Sequence, residues 1–130
     1  MTCPVFFKKQ YVYVKDGEIV VLLNALVDSL AQFDRDEWLN RVWEKWDSQL
    51  QGRGFGCYEL HLDQLVRNQD EKARMLRVLE EAKKSLRAHG DRISKDWLNA
   101  LPYNEAIFLL DQDTSRVIEP LDAIADLMRD

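Results

Sequence analysis

Trp38, Trp43 and Trp46 fall within nine residues of a chain of 130. At about 3.6 residues per helical turn, Leu39, Val42, Trp43, Trp46 and Leu50 share one stripe, with Trp38 at its margin. A stripe of this bulk has to be covered, by the chain's own core or by a partner. Its helical period points to the core, because core-facing helices carry apolar residues at this spacing. Trp38, at the edge, is the tryptophan expected to be partly exposed and to anchor a partner. Trp97 stays open to either role.

The boundaries of this helix are also readable. Asp34 followed three residues later by Glu37 resembles a capping pair, with Asp in place of the usual Ser or Thr. Gly52 stands where a glycine C-cap belongs. A helix is therefore predicted over residues 35–51.

Upstream, Val5–Val14 is rich in aromatic and β-branched residues and reads as a strand. Asp16-Gly17 follows, and two readings compete there. The dipeptide is a two-residue hairpin signal. Yet Ile19, Leu22, Leu23, Leu26, Val27, Leu30 and Phe33 continue a helical stripe too long for a strand, which favours a helix over 19–33. Downstream, residues 57–63 alternate polar with apolar as a half-buried strand does. A long charged helix is expected from Asp70 to Arg87, with Leu76, Leu79, Ala82 and Leu86 inward and Gly90 ending it. Ser94 caps a short helix that Pro102 stops. Ala106–Leu110 reads as a buried strand or helical turn. Pro120 sits where proline opens a helix with Leu121, Ile124, Leu127 and Met128 as its apolar face.

These elements describe a mainly α fold, with α+β as the open alternative. The expectation is a compact single domain, 1–130, built as a bundle of four to five helices with two or three short strands. The length suffices for a core without disulfide or metal staples. The longest aliphatic run, Ile19–Leu23, is far shorter than the roughly 20 residues of a membrane span. The first residues lack a secretory pattern, so the cytoplasm is the expected location, with no membrane partner. Cys3 and Cys57 are isolated and are expected to be reduced thiols.

No motif carries obvious chemistry. Gly52, Gly54 and Gly56 follow a helix and precede a strand, the reverse of a phosphate-binding loop, so they read as a turn; Arg53 could still touch an anion. Glu59, His61 and Asp63 would share one face of a strand and form the one constellation suited to acid–base or metal work. A solvated strand face has the same pattern, and it is the favoured explanation. His89 suits the C-terminal end of the charged helix, where the dipole favours it. No metal site, catalytic residue or cofactor is therefore assigned.

Charge says more. Lys72, Arg74, Arg77, Lys83, Lys84 and Arg87 crowd one helix, but Asp70, Glu71, Glu80 and Glu81 interleave with them. Asp70/Arg74 and Glu80/Lys84 stand at the spacing of helical ion pairs, which describes a solvated face rather than a nucleic-acid surface. The net charge is −5, and residues 101–130 hold the excess, with seven acids against Arg116 and Arg129. A single-signed surface steers a protein towards a basic partner.

The resulting expectation is a small acidic protein-binding module, in concrete form an immunity- or antitoxin-type inhibitor covering a basic target such as a toxin domain. Asp111, Asp113, Glu119, Asp122, Asp126 and Trp38 are the expected partner-binding residues. Two alternatives stand beside it: a small enzyme or metal-binding protein using Glu59, His61 and Asp63, and a homo-oligomeric subunit assembled through the tryptophan helix. On the steering hypothesis, replacing Asp111, Asp113 and Asp122 by Asn should slow association and flatten its salt dependence. Unchanged kinetics in stopped-flow measurements would remove the hypothesis.

Overall fold

A computed structural model describes residues 2–51, 58–101 and 108–129. Two strands, β1 (Thr2–Phe7) and β2 (Gln10–Lys15), open the chain and pair antiparallel from Thr2↔Lys15 to Phe7↔Gln10. Helices α1 (Asp16–Leu30) and α2 (Glu37–Gln51) follow. A short α3 (Leu62–Leu65) leads into the long α4 (Gln69–Arg87). Strand β3 (Arg92–Ile93), helix α5 (Lys95–Asn99), strand β4 (Gln112–Asp113) and helix α6 (Thr114–Arg129) complete the order. Strand β3 pairs antiparallel with β4. The fold is mainly α, with six helices and two two-stranded sheets among the described residues.

Helix α1 is the centre. Residues 21–27 are buried without interruption, and α1 packs on α2, α4, α6 and the hairpin. A helix covered all round can be apolar all round, which is why its amphipathic stripe is blurred. Asn24 and Ser29, its buried polar residues, bond back to the carbonyls of Val20 and Leu26 in their own helix. One cluster of buried side chains runs from Cys3 in β1 to Met128 in α6. No described helix is long and apolar enough to cross a membrane.

The N-terminal segment departs from the sequence reading. It is not one strand followed by a turn at Asp16-Gly17 but a complete hairpin that reverses at Lys8-Lys9. Both lysines have positive φ, 48° and 70°. Such a two-residue turn normally uses Asn or Gly, so the sequence carried no turn signal. A carboxylate oxygen of Asp63 accepts the Lys8 backbone N–H at 2.9 Å, support that comes from 55 residues away. Asp16-Gly17 instead begins α1, which then ends at Leu30 rather than residue 33.

Helix α2 is close to expectation, but its cap is Asp36, not Asp34: the Asp36 carboxylate accepts the Leu39 N–H at 2.9 Å. That bond, together with the Arg74 guanidinium 2.6 Å away, holds the Asp36 carboxyl below its ordinary range. The Gly52 cap and the glycine turn lie outside the described residues, as do Arg53, Cys57 and Pro102.

Two tryptophans of α2 anchor the next segment. The Trp38 Nε1–H donates to the Leu65 carbonyl at 2.7 Å, and the Trp46 Nε1–H to the Leu60 carbonyl at 2.9 Å. Residues 58–61 are consequently an irregular stretch leading into α3, not the expected strand. His61, just before α3, takes positive φ of 53°.

Helix α4 carries Met75, Val78, Leu79, Ala82 and Leu86 inward, with Leu76 half-buried. Its ion pairs differ from the expected ones. Glu80 pairs with Lys83 rather than Lys84, and Arg74 reaches Asp36 rather than Asp70. Buried Glu71 receives Arg67 through backbone N–H and guanidinium, and Arg41 from α2, while Asn68 caps the helix by accepting the Glu71 N–H. The Arg67 bonds foremost pull the Glu71 carboxyl from 4.5 down to about 2.

Helix α6 starts six residues before Pro120, which sits inside it. Proline normally breaks the interior of a helix by removing an N–H bond. Here Val117 is buried before it and Leu121, Ile124 and Met128 after it, so one apolar face spans the defect. Thr114 ties the helix start to the turn after α4, donating its hydroxyl to the Gly90 carbonyl at 2.6 Å and its N–H to that of Asp91 at 3.0 Å. Within 108–110 there is no regular element, and Leu109 and Leu110 are exposed, contrary to the buried segment expected there.

Two outcomes follow. Trp46→Phe leaves the buried Leu60 carbonyl without its donor and opens a small void. It should cost roughly 2–4 kcal/mol in urea unfolding. Glu71, with its folded carboxyl depressed, adds stability that is complete above pH 4.5 and lost as pH falls towards 2. Glu71→Gln should be less stable at neutral pH and lose less on acidification across that window, measured by chemical unfolding at each pH.

Candidate functional site

Alternation in the hairpin sends Cys3, Val5, Phe7 and Val14 into the core. The other face of the ribbon therefore carries Pro4, Phe6, Tyr11 and Tyr13, paired as Phe6↔Tyr11 and Pro4↔Tyr13. Phe6, Tyr11 and Tyr13 are 47%, 51% and 63% exposed. They touch one another, with ring centroids 5.7 Å apart for Phe6–Tyr11 and 5.1 Å for Tyr11–Tyr13. A side-chain hydrogen bond with Tyr11, with its nearby charge, raises the Tyr13 hydroxyl above its ordinary range.

The edges matter too. A two-residue turn makes Phe7↔Gln10 the closing hydrogen-bonded pair, so Pro4, Tyr11 and Tyr13 turn their backbone groups away from the ladder. Pro4 thus sacrifices no ladder bond and blunts the β1 edge. Among the described residues, no strand pairs with the other side of β2. Residues 2–15 hold Lys8, Lys9 and Lys15 and no acid, inside a chain of net charge −5. Lys8 folds back over the Phe7 ring, 5.4 Å from its centroid, leaving Lys9 and Lys15 exposed at the ends of the ribbon.

The expected partner-binding residues are mostly engaged within the chain. Asp111 accepts the Lys95 N–H at the start of α5, at 2.8 Å. Asp113 stands 3.6 Å from both Arg92 and Arg116. Asp122 pairs at 2.7 Å with Lys83, whose ammonium is buried and also meets Glu80 at 2.6 Å. Burial alone would lower the Lys83 pKa, but the hydrogen bonds that its ammonium donates to Asp122 and Glu80 outweigh it and raise it. Asp126 pairs with Arg129 at 3.2 Å. Glu119 is exposed and has no ion pair among the described residues. Glu119, Asp122 and Asp126 do line the solvent side of α6, while Asp111 and Asp113 serve the β3–β4 corner.

Trp38 corrects the sequence expectation most sharply. It is 5% exposed, bonded to Leu65, and covered by the Arg74 guanidinium 4.6 Å from its ring. A residue so enclosed is not a surface anchor. Trp43 is the half-buried one, and Trp97 is exposed against the His89 ring, 4.4 Å away.

The Glu59, His61 and Asp63 constellation is not assembled, because its strand does not form. His61 Nδ1 lies 3.8 Å from Glu59 Oε2, but Asp63 turns to the hairpin and takes the Lys8 N–H. No three His, Cys, Asp or Glu side chains gather as metal ligands among the described residues.

The hairpin face escaped the sequence reading because Lys8-Lys9 carries no turn signal. Once the turn is known, simple alternation from Thr2 to Lys15 identifies every outward residue. The chain matches no protein family, no curated protein and no solved structure.

Proposed function

We propose that the chain is a protein-binding module whose contact surface is the outer face of the β1–β2 hairpin. The supporting observation is the contiguous row Phe6, Tyr11 and Tyr13, in mutual contact yet about half exposed. Large aromatic side chains gain much by burial, and a contiguous exposed group of them marks an interaction surface more often than chance placement. Tyrosine in particular contributes disproportionately to interface energies. The open edge of β2 adds backbone groups on which an extended segment can pair.

A narrower version makes the protein an inhibitor of immunity or antitoxin type that covers a basic target. Its support is the net charge of −5 together with the outward row Glu119, Asp122 and Asp126 on α6. The engagement of Asp122 with buried Lys83 means that neutralising Asp122 also perturbs folding, so Glu119→Gln isolates steering from stability. For homo-oligomerisation through the tryptophan helix, Trp38 and Trp46 are engaged inside the fold and the half-buried Trp43 is the tryptophan of α2 left as support. For the enzyme reading, Glu59 stays beside His61 while Asp63 is turned to the hairpin.

The test compares wild type with Phe6→Ser/Tyr11→Ser/Tyr13→Ser, all outward-facing. Wild type should retain one stoichiometric protein from a lysate of its source organism through a salt wash, or self-associate in light scattering. The variant should lose that partner with its melting temperature within a few degrees of wild type. A folded variant that keeps the same partner overturns the hairpin as the contact surface.

A further inference from the structure

We propose that the edge of β2 takes up an extended acidic segment of a partner protein as an antiparallel third strand. The proposal rests on the hairpin being the contact surface, and adds to it the mode of pairing and the chemistry of the partner.

The two strands of the hairpin are not equally covered. The inward side chains of β1, Cys3, Val5 and Phe7, are at most 2% exposed. On β2 the residues opposite Val5 and Phe7 are Val12, half-buried, and Gln10, exposed. Strand β2 is therefore the outer strand of the ribbon. Tyr11 and Tyr13 direct their N–H and C=O groups away from β1, and those groups bond to no other described residue. The edge of β1 is the poorer template, since Pro4 has no N–H to give. Tyr11 and Tyr13 stand two residues apart, the repeat of a β-ladder, so an incoming strand closes four hydrogen bonds on them. The antiparallel sense is the more stable per residue. Both rings then lie beside the outward side chains of the added strand and cover them.

Charge selects the occupant. Lys9 and Lys15 stand at the two ends of this edge, exposed and without an ion pair among the described residues. Residues 2–15 contain no acid. From Lys9 to Lys15 a strand spans about 20 Å, so a segment lying opposite residues 9–15 reaches both. Its two ends suit Glu or Asp, and its outward middle positions suit apolar side chains that the tyrosines cover. A second copy of the chain fits worse. Two-fold pairing of β2 with β2 through Tyr11 and Tyr13 centres on Val12 and sets Lys9 against Lys15 of the second copy at both ends. Like charges directly opposite one another are destabilising. A lipid surface also fits worse, because the Tyr11 and Tyr13 backbone groups would enter it without partners.

The probes are acetylated, amidated heptapeptides of the pattern Glu-Thr-X-Thr-X-Thr-Glu, with Val, Ile, Leu, Phe or Tyr at each X. They are titrated at low salt into isotope-labelled protein and followed through its amide signals. At least one should bind saturably, shift the Tyr11 and Tyr13 amides, and slow their hydrogen exchange by about tenfold or more at saturation. Changing both Glu of that peptide to Gln should weaken it by about threefold or more, and changing them to Lys should weaken it further. Methylating the backbone nitrogens of both X residues should weaken it by about tenfold or more. Lys9→Gln/Lys15→Gln, with its melting temperature within a few degrees of wild type, should bind the Glu- and Gln-ended peptides alike. Absence of saturable binding by every Glu-ended peptide overturns the proposal. So does equal binding of the Glu- and Gln-ended forms by wild type, or of the N-methylated form. Amide shifts at Tyr11 and Tyr13 produced by vesicles of equimolar phosphatidylserine and phosphatidylcholine, or by rising protein concentration, and not by any peptide, overturn it in favour of a lipid surface or a second copy. If the peptides fail while Phe6→Ser/Tyr11→Ser/Tyr13→Ser loses its lysate partner, the hairpin remains the contact surface and strand addition alone falls. If that variant keeps its partner, the contact-surface reading falls and the proposal with it.

Discussion

Two indole N–H groups decide how this chain is put together. Trp38 and Trp46 sit two turns apart on α2, and their hydrogen bonds end on the carbonyls of Leu65 and Leu60. The bonds hold an irregular stretch and a one-turn helix against α2, which a strand ladder would otherwise have had to do. Buried carbonyls outside regular structure need such donors, because leaving one unpaired costs about 1–3 kcal/mol. With residues 58–66 held there, Asp63 reaches the hairpin turn and α4 begins where Glu71 can meet Arg41 on α2. A tryptophan stripe that looks purely hydrophobic in sequence is thus also a row of donors.

Charged side chains extend the same network. Arg74 pairs with the Asp36 cap and lies over Trp38, joining α4 to the start of α2. Lys83, almost wholly buried, draws Glu80 and Asp122 together and joins α4 to α6. A buried ammonium is tolerated because it is paired and hydrogen-bonded on both sides. Much of the acid excess in the C-terminal third is therefore structural as well as superficial. Asp111 and Asp113 hold the β3–β4 corner, and Glu119, Asp122 and Asp126 form the outward row on α6.

Against this consumption of polar and aromatic groups, the hairpin stands out. Its inner face completes the core over α1 and α6, while its outer face leaves three aromatic rings in contact with one another and with water. The lysines around it oppose the sign of the rest of the chain. An aromatic face, a strand edge that no other described strand pairs with and local charge reversal are the three features on which its proposed role as a contact surface rests.

Helical periodicity was legible from residues alone: the inward faces of α1, α2, α4 and the second half of α6 follow from the spacing of Leu22, Leu26, Val42, Trp46, Leu79, Leu86, Leu121 and Ile124. Ser94 as the cap of α5 was equally local, a short acceptor reaching the Trp97 N–H at 3.1 Å. Such features depend on neighbours within one turn, so the sequence determined them by itself. The reversal at Lys8-Lys9, the irregular stretch at 58–61, the helix continuing through Pro120 and the burial of Trp38 were decided only by tertiary structure. Each goes against or beyond a local preference and is held by residues distant in sequence: Asp63 for the turn, Trp46 for Leu60, Leu65 and Arg74 for Trp38. For α6 it is the packing of Val117 and Leu121 on the core. The candidate surface shared that fate, because which face of the hairpin meets water is known only once the turn and the core beneath it are both in place.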